Sequence, residues 1–127
     1  MGLEDVSPGA ELVAVTSEEK TWAMLCHLST LLSYLAGGLT FLGPLICWLM
    51  KKDSSRFVDY HGKQSLNFQL NILIYSLLCL ALIPCFLVGL FLLPVVHTYS
   101  IVCVIVAGIK ASSGGLFRYP FVFRLIK

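Results

Sequence analysis

Two long stretches of this chain carry no charge at all. Residues 22–50 and residues 70–109 contain no Asp, Glu, Lys or Arg, and each exceeds the roughly 20 residues a helix needs to cross a bilayer. A chain of 127 residues that is 57% hydrophobic, against roughly 45–50% in soluble domains, cannot hide so much contiguous apolar surface in a water-surrounded core. Lipid is its natural solvent. Other absences narrow the function. The cysteines Cys26, Cys47, Cys79, Cys85 and Cys103 form no C-x-x-C pair and all sit in the apolar runs, which argues against a disulfide framework and a zinc site and leaves them as small hydrophobes. Nucleophile elbow, phosphate loop, carboxylate dyad and H-x-x-x-H spacing are all missing. The expectation is therefore no enzyme, no catalytic residue, no cofactor and no metal. The N-terminus is acidic where a secretory signal is basic, and Val6 stands where myristoylation needs Ser or Thr.

Between the uncharged blocks lies Lys51-Lys52-Asp53-Ser54-Ser55-Arg56-Phe57-Val58-Asp59-Tyr60-His61-Gly62-Lys63-Gln64-Ser65. Residues 1–17 read as a flexible acidic tail. Residues 18–127 read as one all-α membrane domain, an integral helical bundle with an interfacial C-terminal tail. Block 22–50 is too long for one straight span, at about 44 Å against a hydrocarbon core of about 30 Å, and it contains Gly37-Gly38 and Gly43-Pro44. It fits either a single kinked span, giving three spans in all, or a short hairpin of helices 20–36 and 39–51, giving four membrane segments. We expect the hairpin. Thr16 or Ser17 suits the first helix N-cap, and Ser54 or Ser55 suits the next helix, over 56–83. Pro84 and Gly89 mark a tight turn, a last span follows over 89–110, and Gly114-Gly115 supplies a left-handed cap.

Basic residues orient the bundle. Lys51, Lys52, Arg56 and Lys63 fall in the central loop, Lys110, Arg118, Arg124 and Lys127 at the end, and none between 84 and 94. Loop 51–65 and the C-terminus are expected in the cytoplasm of a multi-pass cell-membrane protein, with the N-terminus inside if the hairpin forms. Lys51, Lys52, Arg56, Lys110, Arg118, Arg124 and Lys127 are expected to contact anionic headgroups. Residues 116–127, with Phe117, Tyr119, Phe121 and Phe123 beside their bases, are expected to lie along the membrane face. No folded basic surface for nucleic acid is present.

Trp22-Ala23-Met24-Leu25-Cys26-His27-Leu28-Ser29, Gly43-Pro44-Leu45-Ile46-Cys47-Trp48-Leu49, Phe57 to Gln69, and Ala107-Gly108-Ile109-Lys110-Ala111 with Arg118-Tyr119-Pro120 resemble a family of small prokaryotic membrane proteins. That family is catalogued as a domain of unknown function and is regarded as distantly similar to the Tic-twenty subunit of the chloroplast import translocon. The resemblance spans about residues 18–127. It implies a compact helical membrane domain of three or four spans, and no activity.

At helical spacing, Tyr60, Gln64, Asn67 and Asn71 form one polar stripe, with His61, Ser65 and Gln69 on an adjacent one. Polar side chains entering a bilayer face a bundle interior or a water-filled cavity. His61, Gln64, Asn67 and Asn71 are thus either hydrogen-bonding glue between helices or the wall of a polar vestibule open to the cytoplasm. His27, which shares a face with Thr30 and Tyr34, and His97, in the tetrad His97-Thr98-Tyr99-Ser100, are the intramembrane polar candidates; His27 serves either helix packing or as a proton carrier or ligand, and His97 is either satisfied by a neighbouring hydroxyl or carbonyl or functional. Asp59 and Lys63 stand in ion-pair register. The function expected is that of an integral membrane protein acting through a protein partner or as a homo-oligomer, with a small transporter, channel or translocon-like subunit as the alternative.

Overall fold

The computed structural model describes residues 15–37 and 39–127, the side chains of Cys85 and Phe86 excepted. Most of the acidic tail expected over 1–17 lies outside the described residues. The described residues form four α-helices: α1 (Ser17–Leu35), α2 (Leu42–Lys51), α3 (Arg56–Phe86) and α4 (Val88–Ser112).

Each boundary has a local cause. Thr16 caps α1 with a full capping box: its hydroxyl accepts from the Glu19 amide while the Glu19 carboxylate accepts from the Thr16 amide. The chain breaks at Ala36 and Gly37, the latter at φ +106°, and α2 returns along α1. The Gly43 amide donates to Ser33 Oγ near the turn, and Lys51 pairs with Glu18 at the far end, 3.1 Å away. Ser55 caps α3 through the Val58 amide. Block 22–50 is thus a helical hairpin. At 10 residues, α2 covers only about 15 Å.

The turn between α3 and α4 is tighter than the sequence suggests. Pro84 stays inside α3, whose last turn continues to Phe86, and a single residue, Leu87, reverses the chain at φ +57°. The reversal is close enough that a Cβ on Gly89 would collide with the Cys79 carbonyl. α4 ends in a Schellman motif, with Gly115 N–H bonded to the Lys110 carbonyl, Gly114 N–H to that of Ala111, and Gly114 at φ +84°. α1 packs on all three other helices, α3 on α1, α2 and α4, and α2 only on α1 and α3.

α3 and α4 are long and apolar enough to cross a membrane. Much of their surface is exposed hydrocarbon, including Leu77, Leu78, Leu80, Leu90, Phe91, Val95 and Val102. The charged groups gather at the opposite end. Lys51 meets Glu18, Ser55 meets Glu19 at 2.6 Å, and Lys63 meets Asp59 at 2.8 Å. Lys51 and Lys52 also lie over the Trp22 and Trp48 rings.

Residues 116–127 double back along α3. They run from Gly115, opposite His61, to Phe121, opposite Tyr75, then turn back to Phe123 beside Asn71 and Ile126 beside Asn67. Fourteen residues of α3, about 21 Å, separate His61 from Tyr75. Pro120 does bend the segment, with Phe121 at φ +54°. The cause is hydrogen bonding: α3 offers side-chain amides that the extended backbone can use.

Candidate functional site

The polar stripe of α3 holds that tail. Asn71 acts as a surrogate strand residue, its Oδ1 accepting from the Phe123 amide at 3.0 Å and its Nδ2 donating to the Phe123 carbonyl at 2.8 Å. Asn67 does the same one turn earlier, accepting from the Leu125 and Ile126 amides and donating to the Ile126 carbonyl. Tyr60 and Tyr75 donate to the Phe117 and Phe121 carbonyls, and Tyr99 of α4 donates to that of Pro120. Irregular backbone lacks internal partners, and away from water protein must supply them. Asn67 and Asn71 are therefore occupied. Gln64, also buried, lines a cavity of about 160 Å³ with Arg118, Tyr119 and Arg124.

The adjacent stripe meets α1. His27 and His61 are fully buried and joined edge to face, His27 Nε2 to His61 Nδ1 at 2.8 Å. His61 Nε2 lies 3.0 Å from the Gly115 carbonyl, and His27 Nδ1 lies 2.7 Å from the Tyr119 hydroxyl. One acceptor fixes every proton. A carbonyl only accepts, so His61 Nε2 carries hydrogen; neutral His61 then accepts at Nδ1, His27 Nε2 donates, and His27 Nδ1 accepts from Tyr119. Tyr119 is stacked on Phe68 at 4.0 Å. Burial holds its phenol well above the ordinary range, so it stays protonated and donates.

His97 forms a separate node nearer the α3–α4 turn. Its Nδ1 lies 2.9 Å from the Tyr34 hydroxyl, its Nε2 3.1 Å from the Ser76 hydroxyl. These groups edge a cavity of about 560 Å³ whose other walls include Thr40, Phe41, Ile72 and Ile101. The tetrad divides as a helix must divide it: Ser100 buried, Thr98 exposed, Tyr99 turned to the tail. Between the two nodes, the hydroxyls of Thr30, Ser65 and Ser100 and both amide atoms of Gln69 are buried without a hydrogen-bond partner.

Lys51, Lys52 and Lys110 sit at the charged end, Lys110 with its side chain over Gly115. Arg56 begins α3, and Arg118 and Arg124 line the Gln64 cavity. Lys127 ends the returning tail. Sequence reasoning singled out His27, His61 and His97 but not that His27 and His61 bond each other. It also missed Tyr119, Ser76 and Gly115 as their partners, and Tyr75 as a donor to the tail backbone. Tyr75 was within reach, being four residues beyond Asn71 on the same stripe. Tyr119 was not, because its partner stands 92 positions away.

Among the described residues, no three His, Cys, Asp or Glu side chains gather in a way that could hold a metal ion. No curated protein and no solved structure matches the chain, and the similarity to the chloroplast translocon subunit is not shown. One family model does match, over residues 18–126, which is α1 to the returning tail. The chain belongs to the magnetosome magnetite crystal formation protein family.

Proposed function

We propose that this chain is an integral protein of the magnetosome membrane that serves magnetite crystal formation by contact with partner proteins or with further copies of itself, rather than as an enzyme. The family match over residues 18–126 carries the reading. The exposed hydrocarbon of α3 and α4 supports residence in lipid, and the charged end supports a fixed orientation. In this reading all four helices are membrane segments, with α1 and α2 as a short hairpin. Loop 51–65 and the C-terminus face the cytoplasm. The bases Lys51, Lys52, Arg56, Lys110, Arg118, Arg124 and Lys127 meet anionic headgroups. A transporter or channel subunit is the second reading, favoured by the unpartnered polar groups between the histidine nodes.

The test is a tagged chain expressed in magnetite-forming cells. Enrichment in the crystal-bearing membrane, a cross-linked partner or oligomer there, and altered crystals on deletion are the expected results. Residence in another membrane with unaltered crystals would overturn the proposal. Cysteines placed at Ser54 and Ser113, with native thiols removed, should label only from the cytoplasm.

A further inference from the structure

We propose that the buried polar groups between α1, α3 and α4 form a proton relay along the bundle, from the Gly115 carbonyl through His61, His27 and Tyr119 to the cavity at Ser76, Tyr34 and His97. This goes beyond the contact role proposed above.

The geometry supplies two bonded ends, with buried polar groups between them. At one end, His61, His27 and Tyr119 are bonded in series at 2.8 and 2.7 Å. At the other, Tyr34, His97 and Ser76 are bonded in series and edge a cavity large enough for many waters. The middle is set by helical phase. Thr30 falls between His27 and Tyr34 on α1, Ser65 and Gln69 between His61 and Ser76 on α3, and Ser100 one turn from His97 on α4. The Ser65 hydroxyl lies beside Tyr119 and that of Ser100 beside Tyr34, neither at bonding geometry. Buried polar groups that lack protein partners are the ones ordered water satisfies, each water bridging two to four of them. Gln69 is fully buried with neither amide atom paired to protein, which makes it a group for such water to bridge.

The bonded series has a direction. Tyr119 donates to His27, His27 to His61, and His61 to the Gly115 carbonyl. A proton reaching the Tyr119 oxygen from the Ser65 side is matched by transfer of the phenolic proton to His27 Nδ1. The His27 Nε2 proton then moves to His61 Nδ1, and the His61 Nε2 proton passes to a water that takes the place of the Gly115 carbonyl as its acceptor when that bond opens. One proton arrives, one departs, and no bond between heavy atoms changes. Both imidazoles are left in the opposite tautomer, and ring reorientation with exchange of the ring proton resets them before the next proton passes.

The full chain reconstituted in liposomes loaded with a pH-sensitive dye, under a potassium diffusion potential, tests this directly. The native protein should carry protons faster than protein-free vesicles. His27→Gln keeps a neutral hydrogen-bonding side chain but has no second tautomer, and should lower the rate tenfold or more. Gln69→Leu should do the same, while Leu82→Ile on the exposed face should leave it unchanged. Native flux equal to that of empty vesicles overturns the relay, as does a folded, monodisperse His27→Gln protein that conducts like the native one. If His27→Gln does not fold, Gln69→Leu and Ser100→Ala decide, and native rates in both overturn it. Flux requires neither partner nor crystal, so its absence would leave the contact reading standing.

Discussion

α3 is one unbroken helix with two opposite solvation patterns. In its first half His61, Gln64, Ser65, Asn67, Gln69 and Asn71 are buried, while in its second half Leu73, Ile74, Leu77, Leu78, Leu80 and Leu82 are exposed. Water would demand the reverse. Where lipid is the solvent, apolar side chains gain little from leaving it, and polar ones must find protein partners. The first half therefore gathers cover: α1 and α2 on one side, the doubled tail on another. The second half, beyond Tyr75 where the tail turns, is left chiefly to α4 and is otherwise exposed. Polarity along α3 dictates which part of the molecule is built thick.

The largest expected effect comes from erasing that difference. Replacing Asn67 and Asn71 together by Leu removes five hydrogen bonds to the tail backbone. It strands the amides of Phe123, Leu125 and Ile126, each costing roughly 1–3 kcal/mol if left unpaired in a dry site. The tail should detach, seen as fast hydrogen exchange over 116–127, and stability in detergent should fall by about 3 kcal/mol or more. Leu78→Ala in the exposed half should change stability far less, by about 0.5 kcal/mol or under. Equal effects from the two substitutions would mean that the halves of α3 do not differ in the way proposed.

Sequence made the helices legible because their boundaries are local events. Thr16, Ser55, Gly37 and Gly114-Gly115 each act within five residues of where they stand. The two polar stripes were legible for the same reason, since helical phase depends only on spacing. What each stripe faces was not. Asn67 and Asn71 meet residues 52 to 59 positions away, and tail bases interleaved with aromatics read locally as an interfacial anchor. Nothing in residues 116–127 records that side-chain amides on another helix will pair with their backbone. Histidine partners were hidden likewise, because which faces of α1, α3 and α4 adjoin is settled by packing and by the Gly115 turn.

A middle-sized effect sharpens the contrast between the halves at their glycines. Gly62, in the polar half, faces Trp48, whose indole N–H donates to Asp59 at 2.8 Å. Gly89 faces the Cys79 carbonyl of the apolar half. A Cβ at either position meets another atom too closely, but a side chain can yield where backbone cannot. Gly89→Ala should cost about 2–3 kcal/mol and splay the α3–α4 turn, and Gly62→Ala about 1 kcal/mol with loss of the Trp48–Asp59 bond. Tryptophan fluorescence should shift in the second variant only.

The smallest effect lies at the charged end, where α1 and α3 begin side by side. The Ser55 hydroxyl donates to Glu19 at 2.6 Å, and together with the Thr16 amide it holds the Glu19 carboxyl below its ordinary value of 4.5. A depressed carboxyl favours the folded state when ionised, so its contribution is complete above about pH 4.5 and fades as pH falls through the lowered folded value. Ser55 also caps α3 through Val58, so Ser55→Ala costs the cap at every pH. The share owed to Glu19 is the part that changes with pH. The stability gap between native protein and Ser55→Ala should thus narrow on acidification below pH 4.5, yet stay constant when both proteins carry Glu19→Gln. Glu19 is part-exposed, and the change should be small and weaker at high salt. A gap that is flat with pH in the Glu19 background would show that the contact between the two helix starts is set by the caps alone, with no contribution from the carboxylate.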